Sequence, residues 1–172
     1  VKVSISLLNL YKVTGSKKYL NFAKKINYAY LKHRNYYGNF KSTAKTTNFH
    51  PFLYAIEGYW ATSKDIKVNK LDKLLKKSIL WFISKSKKNN LPRLKVKSKF
   101  FYSERMDIYS QALRMIVLLK INNKKIINNI LKKMIDYQFI SKNKIDNGSF
   151  SWGKFSDGKY IDLLGIDKSG SA

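Results

Sequence analysis

Apolar residues recur along this chain at intervals of three and four, in six runs separated by short polar breaks. That period is the signature of a helix with one buried face. Ile5, Leu7, Leu8, Leu10 and Tyr11 mark a helix over 4–13, and Tyr19, Phe22, Ala23, Ile26 and Tyr30 mark a second over 17–33. Between them Thr14-Gly15-Ser16 supplies a turn whose glycine suits the left-handed backbone just past a helix end. Phe52, Leu53, Ile56, Tyr59 and Trp60 predict a third helix over 50–62, with Pro51 in its first turn. Leu71, Leu74, Leu75, Ile79 and Phe82 predict a fourth over 69–85. Ile108, Ala112, Leu113, Met115 and Ile116 predict a fifth over 107–119, and Ile127, Ile130, Leu131, Met134 and Ile135 a sixth over 123–138. The segments 35–48 and 87–103, the latter with Pro92, read as loops. The tail from 141 carries Asn147-Gly148-Ser149-Phe150-Ser151-Trp152-Gly153 and ends in a stretch, 169–172, expected to fray.

The runs pair into antiparallel hairpins, 4–33, 50–85 and 107–138, at a spacing of roughly 50 residues that reads as stacked helical pairs. Within each pair the first member is apolar around most of its circumference and nearly free of lysine, whereas the second carries lysines along its back. The contrast is sharpest in His50-Pro51-Phe52-Leu53-Tyr54-Ala55-Ile56-Glu57-Gly58-Tyr59-Trp60-Ala61-Thr62, a lysine-free stretch in a chain saturated with that residue. A double layer explains it: first helices inside, against one another and a central space, and second helices outside with their backs in water. The expected fold is a single all-α domain of antiparallel hairpins in two layers.

Composition modifies this picture at one point. The 172-residue chain is 44% hydrophobic and 15% aromatic, enough for a packed core, and its formal net charge is +25. Such a charge suggests a nucleic-acid or anionic-surface binder. Yet only Arg34, Arg93, Arg105 and Arg114 among 35 basic residues are arginine, the residue best suited to phosphate forks and base edges. Together with the excess of Asn and Ile, this points to A/T-biased codons that place lysine on solvated outer faces, and it disfavours a nucleic-acid partner. The absence of cysteine excludes disulfides, thiol nucleophiles and cysteine-ligated metals. With two histidines no zinc site is expected, and no cofactor. No run of apolar residues is long enough to span a membrane, and a cytoplasmic location is expected. Because the first residue, Val1, already stands inside a helical pattern, the chain is expected to be a piece of a longer one.

Three stretches together carry a family resemblance: Leu10-Tyr11-Lys12-Val13-Thr14-Gly15-Ser16-Lys17-Lys18-Tyr19-Leu20, His50-Pro51 through Tyr54-Ala55-Ile56-Glu57-Gly58, and Asn147-Gly148-Ser149-Phe150. In these the chain resembles the α/α toroid proteins of the six-hairpin glycosidase superfamily, among them unsaturated glucuronyl hydrolases and sugar 2-epimerases. The resemblance implies a partial toroid, three hairpins of six, whose inner helices deliver polar and aromatic side chains to a funnel that takes a saccharide, with uronic-acid or amino-sugar polymers as the candidate class. Closing the ring would need further hairpins or another chain.

Candidate chemistry is sparse enough to name. Only two glutamates occur, Glu57 on the lysine-free helix and Glu104 just before the fifth, with Asp107 and Gln111 one turn apart beyond it. Glycosidic acid–base chemistry uses two carboxyls roughly 5 to 10 Å apart across the sugar. Glu57 or His50 opposed by Asp107 or Glu104 are the candidate catalytic residues, weighed against ordinary roles as helix caps or paired structural groups. Tyr54, Tyr109, Gln111, Arg105, Phe150 and Trp152 are the candidate substrate-binding residues, since sugar rings stack their C–H faces on aromatic rings while their hydroxyls seek hydrogen bonds. Phosphate-binding glycine loops and a serine elbow are absent from the sequence. Hydrolase, lyase and epimerase chemistry all remain open, and the alternative is a non-enzymatic helical repeat that binds an acidic partner or RNA through its lysine faces.

Overall fold

A computed structural model describes residues 2–32, 46–63, 65–66, 71–102, 105–140, 142, 147–151, 153–154 and 160–161. The described chain is predominantly helical: α1 (Lys2–Thr14), α2 (Lys17–Lys32), α3 (Phe49–Thr62), α4 (Leu71–Ser84), α5 (Met106–Leu118) and α6 (Lys124–Ile135). The all-α expectation holds. The regions read as loops contain strands that the helical period could not signal. These are β1 (Thr46–Asn48), β2 (Leu94–Val96) and β3 (Lys99–Phe101), in an antiparallel sheet ordered β1-β2-β3, with the short pair β4 (Gly153–Lys154) and β5 (Tyr160–Ile161) further on.

Helices α1, α3 and α5 lie side by side, α3 packing on both of the others. Within this row α3 and α5 point the same way. His50 at the start of α3 meets Asp107 at the start of α5, and Glu57, two turns on, meets Gln111 and Arg114. Each row helix is followed by a second-layer helix, and α4 shows the expected division, with Leu75, Ser78, Ile79 and Phe82 buried and Lys73, Lys76 and Lys77 exposed.

One residue ties sheet to helices. Phe49, fully buried, stands with its ring centroid 4.9 Å from Phe82, 5.6 Å from Phe52, 6.0 Å from Trp81 and 6.3 Å from Phe100. Its backbone N–H donates to the Arg93 carbonyl at 3.0 Å, extending the β1–β2 pairing by one residue. Asn48 then caps α3, its side-chain oxygen accepting from the His50 N–H at 3.1 Å. The residue that follows the anchor is therefore held at a fixed place on the rim.

The first hairpin is joined to the second by a buried polar lock. The Tyr59 hydroxyl donates to the Asn27 carbonyl at 3.2 Å, and the Thr62 hydroxyl lies 3.3 Å from the Asn27 side-chain oxygen. No helix among the described residues is long and apolar enough to cross a membrane.

Candidate functional site

A pocket of about 550 Å³ opens at the N-terminal ends of α3 and α5. Its polar lining is His50, Asp107, Ser110 and Ser151, and its apolar lining is Tyr54, Met106, Met134 and Phe150. Each arrives for a local reason. His50 and Tyr54 are one turn apart on α3, as are Asp107 and Ser110 on α5, so two helix faces present them together. Phe150 and Ser151 come from the segment after α6, which runs antiparallel to 137–139. Phe139 N–H donates to the Ser149 carbonyl at 2.8 Å and Ser151 N–H to the Tyr137 carbonyl at 2.9 Å. Gly148, at φ +84°, makes the turn that aims this strand at the pocket.

The charged centre is Asp107. Arg105 grips it with both fork atoms, Nε donating to Oδ1 at 3.0 Å and Nη2 to Oδ2. On the same Oδ2, His50 Nε2 lies at 3.4 Å. The His50 ring meets Tyr54 edge-on, centroids 4.6 Å apart. An imidazole oriented by a carboxylate that is itself fixed by a guanidinium forks like a general acid–base group held to one face. Around it, Tyr54 and the half-exposed Phe150 offer the aromatic faces that sugar rings stack on.

Glu57 sits one turn below Tyr54, its side chain only 13% exposed, and belongs to a second cluster. Gln111 Nε2 donates to its Oε2 and Arg114 Nε to its Oε1, both at 2.9 Å. Glu57 and Gln111 thus clamp α3 to α5 beneath the pocket rather than line it. Tyr109 is buried too, its hydroxyl accepting from the Leu91 N–H at 3.2 Å, and it holds the loop before β2 instead of facing a ligand. Arg105 reaches the pocket only through Asp107. Glu104 and Trp152 lie outside the described residues.

Met106, Ser110, Met134, Ser151 and Arg114 were not singled out by the sequence. Ser110 and Arg114 were within reach, being three and seven residues beyond Asp107 on the same helix. Met134 was not, because only the packing of α6 on α5 brings it there. Among the described residues no three His, Asp or Glu side chains gather where they would hold a metal ion.

No protein-family model and no curated protein matches the sequence. The fold, by contrast, is similar to solved structures. A cellobiose 2-epimerase from Bacillus thermoamylovorans superposes with a TM-score of 0.73 at 12% identity, covering 96% of this chain and 45% of that one. A sugar epimerase from a ruminal bacterium superposes with a TM-score of 0.67 at 10% identity, covering 95% and 45%. Both are six-hairpin α/α toroids, and this chain spans less than half of either.

Proposed function

We propose that the protein is a cytoplasmic carbohydrate-active enzyme of the α/α toroid type that performs acid–base chemistry on a saccharide seated between α3 and α5. The observation that carries this reading is the pairing, in one pocket, of a carboxylate-oriented imidazole with two aromatic faces. His50 is the proton-transfer group, Asp107 orients it, Arg105 fixes Asp107, and Tyr54 and Phe150 receive the sugar ring. Trp152 and Glu104, both outside the described residues, stay candidates on sequence grounds, the first for sugar binding and the second as a further carboxyl.

The geometry favours isomerising chemistry over glycosidic hydrolysis. Hydrolysis calls for two carboxyls facing each other across the bond to be cleaved. Here both oxygens of Asp107 are engaged by Arg105 and His50, and both oxygens of Glu57 by Gln111 and Arg114. In this reading the imidazole takes a proton from a sugar carbon beside a carbonyl. The likeness to two epimerase structures supports the same choice.

Incubation of the chain with reducing mono- and disaccharides in deuterium oxide tests this. Proton NMR is expected to show deuterium entering the carbon next to the reducing-end carbonyl, with loss of about 100-fold or more in His50→Asn. Release of new reducing ends without exchange would replace isomerisation by hydrolysis. Neither product from any sugar would remove the enzymatic reading.

A further inference from the structure

Each second-layer helix buries one side and turns a stripe of different composition the other way. On α2 the buried residues are Ala23 and Asn27, the latter held by Tyr59 and Thr62 of α3. On the opposite side Lys18, Phe22, Lys25, Ala29 and Lys32 follow at intervals of four, three, four and three, all exposed. Lys73, Lys77, Leu80 and Ser84 form the corresponding stripe of α4, behind buried Leu75, Ile79 and Phe82. On α6 it is Lys125, Asn128, Lys132 and Ile135, behind buried Ile130. A large apolar side chain therefore stands among the lysines of all three stripes: Phe22 at 47% exposure, Leu80 at 46% and Ile135 at 66%. One such residue on a surface needs no explanation, but its return on every second-layer helix does.

We propose that these stripes, that of α2 foremost, bind an anionic lipid surface and hold the protein against a bilayer without crossing it. Charge complementarity argues for this partner. Helices α2 and α6 contain no acidic residue and α4 only Asp72, while α2 alone has five lysines. Lysine is a compact, hydrated charge on a long apolar stem. Its ammonium stays at headgroup level while the stem and a neighbouring Phe, Leu or Ile reach the acyl boundary. The stripe of α2 has that arrangement, with Lys25 Nζ 6.0 Å from the centroid of the Phe22 ring. Anionic headgroups add attraction with each lysine brought within about a Debye length of the surface.

Lipid fits the stripes better than nucleic acid does. None of the three helices contains arginine, the residue suited to phosphate forks and base edges. Of the three apolar positions only Phe22 offers a ring on which a base could stack, whereas an acyl boundary receives Leu80 and Ile135 as readily as Phe22. The residues that line the pocket are different ones. This inference concerns where the protein is held and does not depend on what the pocket binds.

Co-sedimentation of the purified chain with lipid vesicles at about 0.15 M salt tests it. Phosphatidylcholine vesicles carrying about 30% phosphatidylserine are expected to bind it about tenfold or more tightly than phosphatidylcholine alone. Lys18→Gln and Lys25→Gln combined should weaken binding by about tenfold. Phe22→Ser, which leaves the charge unchanged, should weaken it about threefold or more, each variant being verified as helical by circular dichroism. No binding to the anionic vesicles, or equal binding to both kinds, overturns the inference. So does binding indifferent to Phe22→Ser, which is adsorption by charge alone. Uridine-rich RNA that binds more tightly than the vesicles, and is weakened by the same substitutions, would make the face a nucleic-acid site and overturn it too.

Discussion

Glu57 shows how far a residue's chemistry depends on its neighbours. On sequence grounds it is one of only two glutamates, placed on the one helix without lysine, and so an attractive catalyst. In the structure its two oxygens receive Gln111 and Arg114 and it becomes the clamp under the pocket. Removing it leaves buried Gln111 without its acceptor. Glu57→Leu is expected to cost about 1–3 kcal/mol in urea unfolding, while Glu57→Gln, which keeps an acceptor for Gln111, costs less. The same logic applies to Asn27, whose carbonyl and side chain hold Tyr59 and Thr62 across two hairpins. Asn27→Leu should destabilise by about 1–3 kcal/mol, read from the same unfolding curves. What made His50, Asp107 and Tyr54 legible as candidates was their type and spacing on lysine-free helices. What hid the difference between His50 and Glu57 was which partner stands opposite, a property of tertiary packing that one-dimensional spacing does not carry.

At the scale of elements, the six helices were legible because lysine and apolar residues alternate with helical period, and because the turn after α1 has the required chemistry. Gly15 adopts φ +69° after α1, with nothing within 4 Å of the position a Cβ would take. Gly15→Ala is therefore a conformational cost alone, expected near 1 kcal/mol and a matching fall in melting temperature. The strands were not legible. β1, β2 and β3 are three residues each, too short for a period of two to declare itself, and their register depends on Phe49 and Phe100 meeting Trp81 and Phe82 in the core. The turn at Lys88-Asn89 was hidden for a different reason. Both residues have positive φ, 48° and 63°, a backbone that asparagine tolerates and lysine resists. Lys88→Gly should stabilise the protein by roughly 0.5–1 kcal/mol in thermal unfolding, because glycine adopts that conformation without a Cβ clash.

For the whole molecule, the organising fact is the segregation of charge from chemistry. Lysine covers the outer helices, and among the described side chains the charges along the row of first helices are paired: His50 and Arg105 on Asp107, Arg114 on Glu57, Lys12 on Asp65. That segregation gave the two-layer reading from sequence, and it separates the carbohydrate reading from the polyanion-binding alternative. A ligand of the lysine faces binds through many weak, salt-sensitive contacts spread over the outer helices. A saccharide in the proposed pocket would be nearly indifferent to salt, since its contacts would be hydrogen bonds and ring stacking. A titration of isotope-labelled protein with cellobiose and other oligosaccharides at 0.15 M salt, followed by amide NMR shifts, tests this most directly. The account predicts shifts concentrated at His50, Tyr54, Asp107, Ser110 and Phe150–Ser151 that persist at 0.5 M salt and vanish in Tyr54→Ala. Shifts along Lys73, Lys76, Lys77, Lys132 and Lys133 with polyanions, abolished by salt, and none at the pocket with any sugar, would contradict it.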